Sequence, residues 1–126
     1  MAAEASKDLH FSRKARIKEG RDFRRVRQEG ERMVAGCLIA NWRRSGEGVK
    51  SRLGVVTSGR IGNAVARSRA RRLMRETFRL HQHEVNPAVD LVLVARASIV
   101  GKRFGEVERD FLTIVRKAGL SKRTGE

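Results

Sequence analysis

Apolar positions along the chain fall first at helical spacing, then at strand spacing, and then repeat that alternation. Phe23 and Val26, with Ile17 ahead of them, lie on one side of a helix predicted from Gly20 to Glu29, and Gly30 marks its stop. Met33 to Trp42 is rich in apolar residues and reads as one strand, with room for a further short strand within residues 31–51. The segment SGEGVKS, Ser45 to Ser51, sets two glycines between strand patterns and predicts a turn. Leu53 to Ser58 reads as the next strand, and Gly59-Arg60-Ile61-Gly62 as a tight link. A long helix is then predicted from Asn63 to His83. Asn63 suits its N-cap because the side-chain oxygen can accept a free backbone N–H, and Asn86-Pro87 ends it. Val89 to Arg96 is a nearly continuous apolar, β-branched run and reads as a buried strand. Phe104, Val107, Phe111, Ile114, Val115 and Ala118 define a closing helix, stopped by Gly119.

The order helix–strands–basic helix–strand–helix, or α-β-β-(β)-α-β-α, predicts a single-domain α+β sandwich with helices against one antiparallel or mixed sheet. Residues 1–10 lack periodicity and predict a disordered N-terminus; residues 11–119 form the domain and residues 120–126 a flexible tail.

The predicted long helix carries the chemistry. On a wheel of about 100° per residue, Ala66, Ala70, Leu73, Met74, Thr77 and Leu80 cluster on one arc, with Phe78 at its margin. Arg71, Arg72, Arg75 and Arg79 take the opposite arc, flanked by Arg67 and Arg69, with only Glu76 to offset them. Like charges at i,i+4 destabilise a helix by a few tenths of a kcal/mol each, and the series Arg67–Arg71–Arg75–Arg79 contains three such pairs. A solvated face ordinarily mixes its signs. A row of guanidinium groups instead suits phosphate oxygens, which it can bind in two-pronged fashion. The glycines of the preceding link would let backbone approach a phosphate, although GxxG alone more often marks a plain strand-to-helix turn.

Composition sharpens this picture. Of 126 residues, 29 are Lys or Arg and 14 are Asp or Glu, a formal charge of +15 that calls for a polyanionic partner. The absence of any 18-residue apolar run argues against a membrane. Met1 to Leu9 lacks the apolar core of a secretory signal, and a lone cysteine, Cys37, suits the reducing cytoplasm. His10, His81 and His83 show no metal-ligand spacing with it, and His81 and His83 are expected to be solvent-exposed. Asp22, Asp90 and Asp110 are too scattered to converge on catalytic metal ions, and Asp90 reads as a turn cap at the head of its strand.

The block Arg60-Ile61-Gly62-Asn63-Ala64-Val65, continued by Arg67-Ser68-Arg69-Ala70-Arg71-Arg72-Leu73-Met74-Arg75-Glu76, resembles the central motif of the bacterial ribonuclease P protein subunits. RIKEGRDFRRV (Arg16 to Val26), Leu53-Gly54-Val55 and DLVLVAR (Asp90 to Arg96) are similar to further family segments, so the likeness runs from residue 13 to about residue 118. Ser68 stands where the family usually has Asn, Arg27 and Asn41 where aromatic residues are common, and Gly59 where Lys is common.

The resemblance implies a left-handed β-α-β crossover. It also implies a division of labour in tRNA processing: a catalytic RNA subunit hydrolyses the precursor tRNA with Mg²⁺, and the protein assists without holding a cofactor. The implied partners are that RNA subunit and the 5′ leader of precursor tRNA, with no small-molecule substrate. Arg60, Arg67, Ser68, Arg69, Arg71, Arg72 and Arg75 are the implied RNA-binding residues. Arg16, Phe23 and Arg27 would line a leader cleft, with Trp42 as a further aromatic, and Arg13, Lys14 and Lys18 would extend its positive rim. A ribosomal or KH-like RNA-binding protein is the alternative. A KH loop, however, should join two helices.

Overall fold

The computed structural model describes residues 13–45 and 50–121. The predicted disorder of residues 1–10 and the tip of the SGEGVKS turn lie outside these. Three helices and four strands follow in the order α1 (Gly20–Glu29), β1 (Glu31–Ala35), β2 (Leu38–Arg44), β3 (Arg52–Val56), α2 (Ala64–His81), β4 (Val89–Ala95) and α3 (Phe104–Lys117). The strands form one mixed sheet in the order β1-β2-β4-β3. β1–β2 and β2–β4 are antiparallel, whereas β3 and β4 are parallel and are joined through α2.

The segment read as one strand from Met33 to Trp42 is instead a hairpin. Gly36 turns it at φ +56°, a conformation that favours glycine, and Asp110 of α3 accepts the Cys37 N–H at 2.9 Å. Apolar content is high on both sides of that turn, so the pattern alone ran the strands together. Burial, with the Asp110 carboxylate beside it, pushes the Cys37 thiol up to about 12, which keeps it protonated and unreactive.

Alternation along the strands sends side chains to two unlike faces. Leu38, Ala40, Trp42, Leu53, Val89, Leu91 and Leu93 face the main core beneath α2 and α3, meeting Ala70, Met74, Phe78, Val107, Phe111 and Ile114. The other face carries a small cluster of Ile17, Val26 and Val92, on which Phe23, Val56 and Val94 pack. Helix α1 covers part of this second face. Trp42 therefore lies in the main core, on the wrong side of the sheet to serve as an aromatic wall of the cleft. Phe78, placed at the margin by the wheel, is fully buried, while Leu73 and Leu80 are only half-buried.

Three further expectations are corrected. Asp90 does more than cap a turn: besides accepting the Ser45 hydroxyl at 3.5 Å, it takes two hydrogen bonds from Arg52, its register partner on β3, at 2.9 and 2.8 Å. Leu120, placed in the tail, is buried, and its carbonyl accepts the Asn86 N–H at 2.8 Å. Helix α2 ends at His81, followed by a short 3₁₀ turn over Gln82–Glu84.

His81 itself is not solvent-exposed, its side chain being 15% accessible. Its Nδ1 lies 2.8 Å from Glu84 and its Nε2 2.7 Å from Glu108 of α3. With a carboxylate at each nitrogen, both must donate, so the ring is the imidazolium. Burial disfavours that charge, but the hydrogen bonds to Glu108 and Glu84 outweigh it and raise the pKa. The native state therefore holds the proton more tightly than the unfolded chain. The clamp's contribution is fully present below about pH 6.5 and is lost as pH rises through the raised native value. His81→Phe is expected to lower stability by about 2 kcal/mol at pH 6, with the gap closing in alkaline urea titrations. A gap that stays constant with pH would mean the ring is neutral in the native state.

Candidate nucleic-acid interface

Helix α2 starts as its sequence dictates. The Asn63 side chain accepts the Ala66 N–H at 2.9 Å, and the link ahead of it is a 3₁₀ turn, Gly59–Ile61, capped by Ser58. This GxxG turn joins a strand to a helix, which a KH loop does not do. Arg60 is exposed on that turn.

The arginines of α2 do not form one uniform row. Arg67 donates to the Gly62 carbonyl at 2.6 Å, back across the helix start. Arg69 turns the other way and donates to the Lys102 carbonyl at 2.8 Å, tying α2 to the loop before α3. Arg79 is matched by Glu76, at 3.0 and 2.6 Å. What remains is a tighter group of Arg71, Arg72 and Arg75. Arg71 is held by two hydroxyls, Thr57 at 2.8 Å and Ser68 at 3.2 Å, so Ser68 acts here as a brace. Arg72 is exposed, and among the described residues neither it nor Arg75 makes a hydrogen bond or ion pair.

Arg75 feels both Arg71, one turn away on its own helix, and Arg16. Burial, together with the like charges of Arg16 and Arg71, pulls its pKa below the ordinary guanidinium value. A guanidinium stays charged even so. Like charge thus gathers around Arg75, whose own guanidinium has no carboxylate partner among the described residues, an arrangement that an anion would relieve. Arg16 reaches this place because its segment runs beside β3, with the Ile17 N–H donating to the Leu53 carbonyl at 2.9 Å. It connects the α2 group to the neighbouring cleft.

That cleft is the part of the second sheet face left open beside α1. Val34, Ile39, Val94 and Val56 lie side by side across all four strands, and Val34 is 43% exposed. Phe23 forms the α1 wall. A β-carbon on residue 54 would lie 2.5 Å from the Phe23 ring, so Gly54 is what lets the ring lie against the sheet. Arg27, one turn on from Phe23, is exposed, as are Arg13, Lys14 and Lys18. Asn41 is buried on this same face. The cleft is therefore aliphatic in its floor, aromatic at one point and cationic at its rim. Thr57 and the valine floor were not singled out in the sequence. Thr57 lies just past a strand end with no pattern to mark it, and exposed valines on a strand look like ordinary sheet.

Among the described residues no three His, Cys, Asp or Glu side chains are grouped to hold a metal ion. The carboxylates that might serve are already engaged: Asp90 with Arg52, Asp22 near the same guanidinium at 3.9 Å, and Asp110 with the Cys37 N–H. No helix among them is long and apolar enough to cross a membrane.

The model of the Ribonuclease P family matches residues 11–119. The chain is 38% identical to the ribonuclease P protein component of Syntrophomonas wolfei over 110 residues, 87% of this chain and 92% of that one. It is 35% identical to the corresponding protein of Clostridium kluyveri, over 85% of this chain and 96% of that one. Among solved structures, the RNase P protein of Thermotoga maritima superposes with a TM-score of 0.70 at 26% identity, covering 88% of this chain and 98% of that one. The Staphylococcus aureus RNase P protein gives 0.75 at 24% identity, covering 85% and 97%, a likeness of fold.

Proposed function

This chain belongs to the ribonuclease P protein family, and from that premise we propose that it binds the family's catalytic RNA subunit through α2 and the 5′ leader of precursor tRNA through the cleft. In that role it assists endonucleolytic removal of the leader within a cytoplasmic ribonucleoprotein. The observation that carries the reading is Arg75, crowded by the like charges of Arg16 and Arg71 and itself without an ion pair among the described residues, beside the exposed Arg72. Such a group is stabilised by a polyanion and by little else.

Arg71, Arg72 and Arg75 would meet RNA phosphates directly, with Arg60 and the partly engaged Arg67 extending the contact toward the helix start. Arg69 would contribute by fixing the loop before α3. In the cleft, Phe23 offers one ring for a base to stack on, and Arg16 and Arg27 offer charge to the backbone between bases. The valine floor accepts any base, which suits leaders of differing sequence.

Hydrolysis would fall to the RNA subunit and its Mg²⁺. The prior engagement of Asp22, Asp90 and Asp110 supports this assignment, because a metal-dependent protein nuclease needs free carboxylates converging on the ions. The protein's own work is to neutralise phosphates and to hold the leader.

The test is reconstitution with the catalytic RNA of the same organism at low Mg²⁺. Addition of the protein is expected to speed cleavage of precursor tRNA strongly, and less so for a precursor without a leader. Absence of any stimulation would defeat the proposal.

A further inference from the structure

The outer side of α1 carries charge that neither the fold nor the cleft uses. Helical spacing sends Val26 and Phe23 toward the sheet and Arg21, Arg24 and Arg25 away from it. All three arginines are exposed. Among the described residues, no carboxylate pairs with Arg24 or Arg25. Asp22 approaches Arg52, Glu29 pairs with Arg43 at 3.6 Å, and Glu19 takes Arg21 at 2.9 Å. Arg24 and Arg25 make no hydrogen bond or ion pair among the described residues. Arg21 stands at i,i+3 and i,i+4 to them, so the helix bears like-charge repulsion on a face that contributes nothing to packing.

Position says what that face could meet. Helices α1 and α2 lie on opposite sides of the sheet, so a stiff RNA helix seated on α2 cannot also reach the outer side of α1. A flexible single strand lying in the cleft would have α1 beside it, because α1 is the cleft's wall, and would have only to turn over that helix to reach its outer side. Arg27, beside Phe23 on that wall, offers an intermediate step.

We propose that the leader, on leaving the cleft, folds over α1 and lays its phosphates on Arg24 and Arg25, so that this protein grips more leader than the cleft alone contains. The inference rests on the leader-binding reading above. Guanidinium contacts to phosphate are indifferent to base identity, so the gain should depend on leader length and not on sequence.

The test uses the holoenzyme assembled from the full chain and its catalytic RNA. The dissociation constant is measured for precursor tRNA with no leader, with a leader that only fills the cleft, and with one extended by several nucleotides. Extension is expected to tighten binding several-fold at low salt and to steepen the salt dependence by about 1.4 units for two single-strand contacts. Arg24→Ala/Arg25→Ala should abolish the gain from extension while leaving the short-leader value in place. Arg24→Lys/Arg25→Lys should keep most of it. Arg116→Ala/Lys117→Ala, which removes equal charge from exposed positions at the end of α3, should keep all of it. A gain that survives Arg24→Ala/Arg25→Ala, or no gain on extension in the parent protein, overturns the inference and leaves the cleft reading intact. A short leader that binds no better than none overturns both.

Discussion

Replacing Arg72 and Arg75 together by alanine is expected to flatten the salt dependence of RNA binding by about 1.4 to 1.8 units in log K against log salt, taking 0.7 to 0.9 per phosphate contact. The parent protein should then lose about tenfold more affinity than the variant when salt is raised fourfold, since four raised to that difference in slope is near ten. These two residues are the sharpest probes because among the described residues neither side chain makes a hydrogen bond or ion pair, so their loss strips no polar partner within the fold. Arg71→Ala would be harder to interpret, as it also strips Thr57 and Ser68 of their donor. Filter binding or fluorescence titration against the catalytic RNA across a salt series measures the effect. Parallel lines for the two proteins would remove α2 from the interface.

The largest effect on stability is expected at Phe78. Its side chain is wholly buried between α2 and the sheet, and Phe78→Ala should cost about 3 to 5 kcal/mol. That is a large part of the 5 to 15 kcal/mol typical of a whole domain. Leu80→Ala, at a half-buried position, should cost about 1 kcal/mol. The wheel assigns these two residues in the reverse order of importance, so urea denaturation of the pair decides between wheel and structure. Equal losses would mean that the apolar arc of α2 is wider than the packing indicates.

That reversal illustrates what a sequence can and cannot carry. The wheel located the buried arc of α2 to within a fraction of a turn, because period is a local property. The exact seat of the arc depends on how the sheet is tilted beneath it, and nothing in residues 64–81 encodes that tilt. The bounds of α1 and the cap at Asn63 were legible for the same local reason: glycine stops and side-chain caps act within a few residues. The β1–β2 hairpin was not, since its turn depends on Gly36 meeting Asp110, more than seventy residues further on. Long range also hid the His81 clamp, whose second carboxylate comes from α3, and the partners of Arg69 and Asp90. At the candidate interface, the presence of an arginine-bearing side could be read off the helix. Which of its arginines are bonded within the fold could not, and that distinction separates Arg72 and Arg75 from Arg69 and Arg79.

The sheet order has a consequence for biosynthesis. β4 lies between β2 and β3 yet is the last of the described strands in chain order. Until the ribosome has released residue 95, β3 has no partner strand in the sheet, only the Arg16–Ile17 segment beside Leu53, and α2 has no completed floor on which to rest its apolar side. The arginine-rich helix is therefore translated well before it can be seated, and RNA encountered in that interval meets an unfastened cationic segment. Accurate docking must wait for a strand of seven residues to slot between two others already translated.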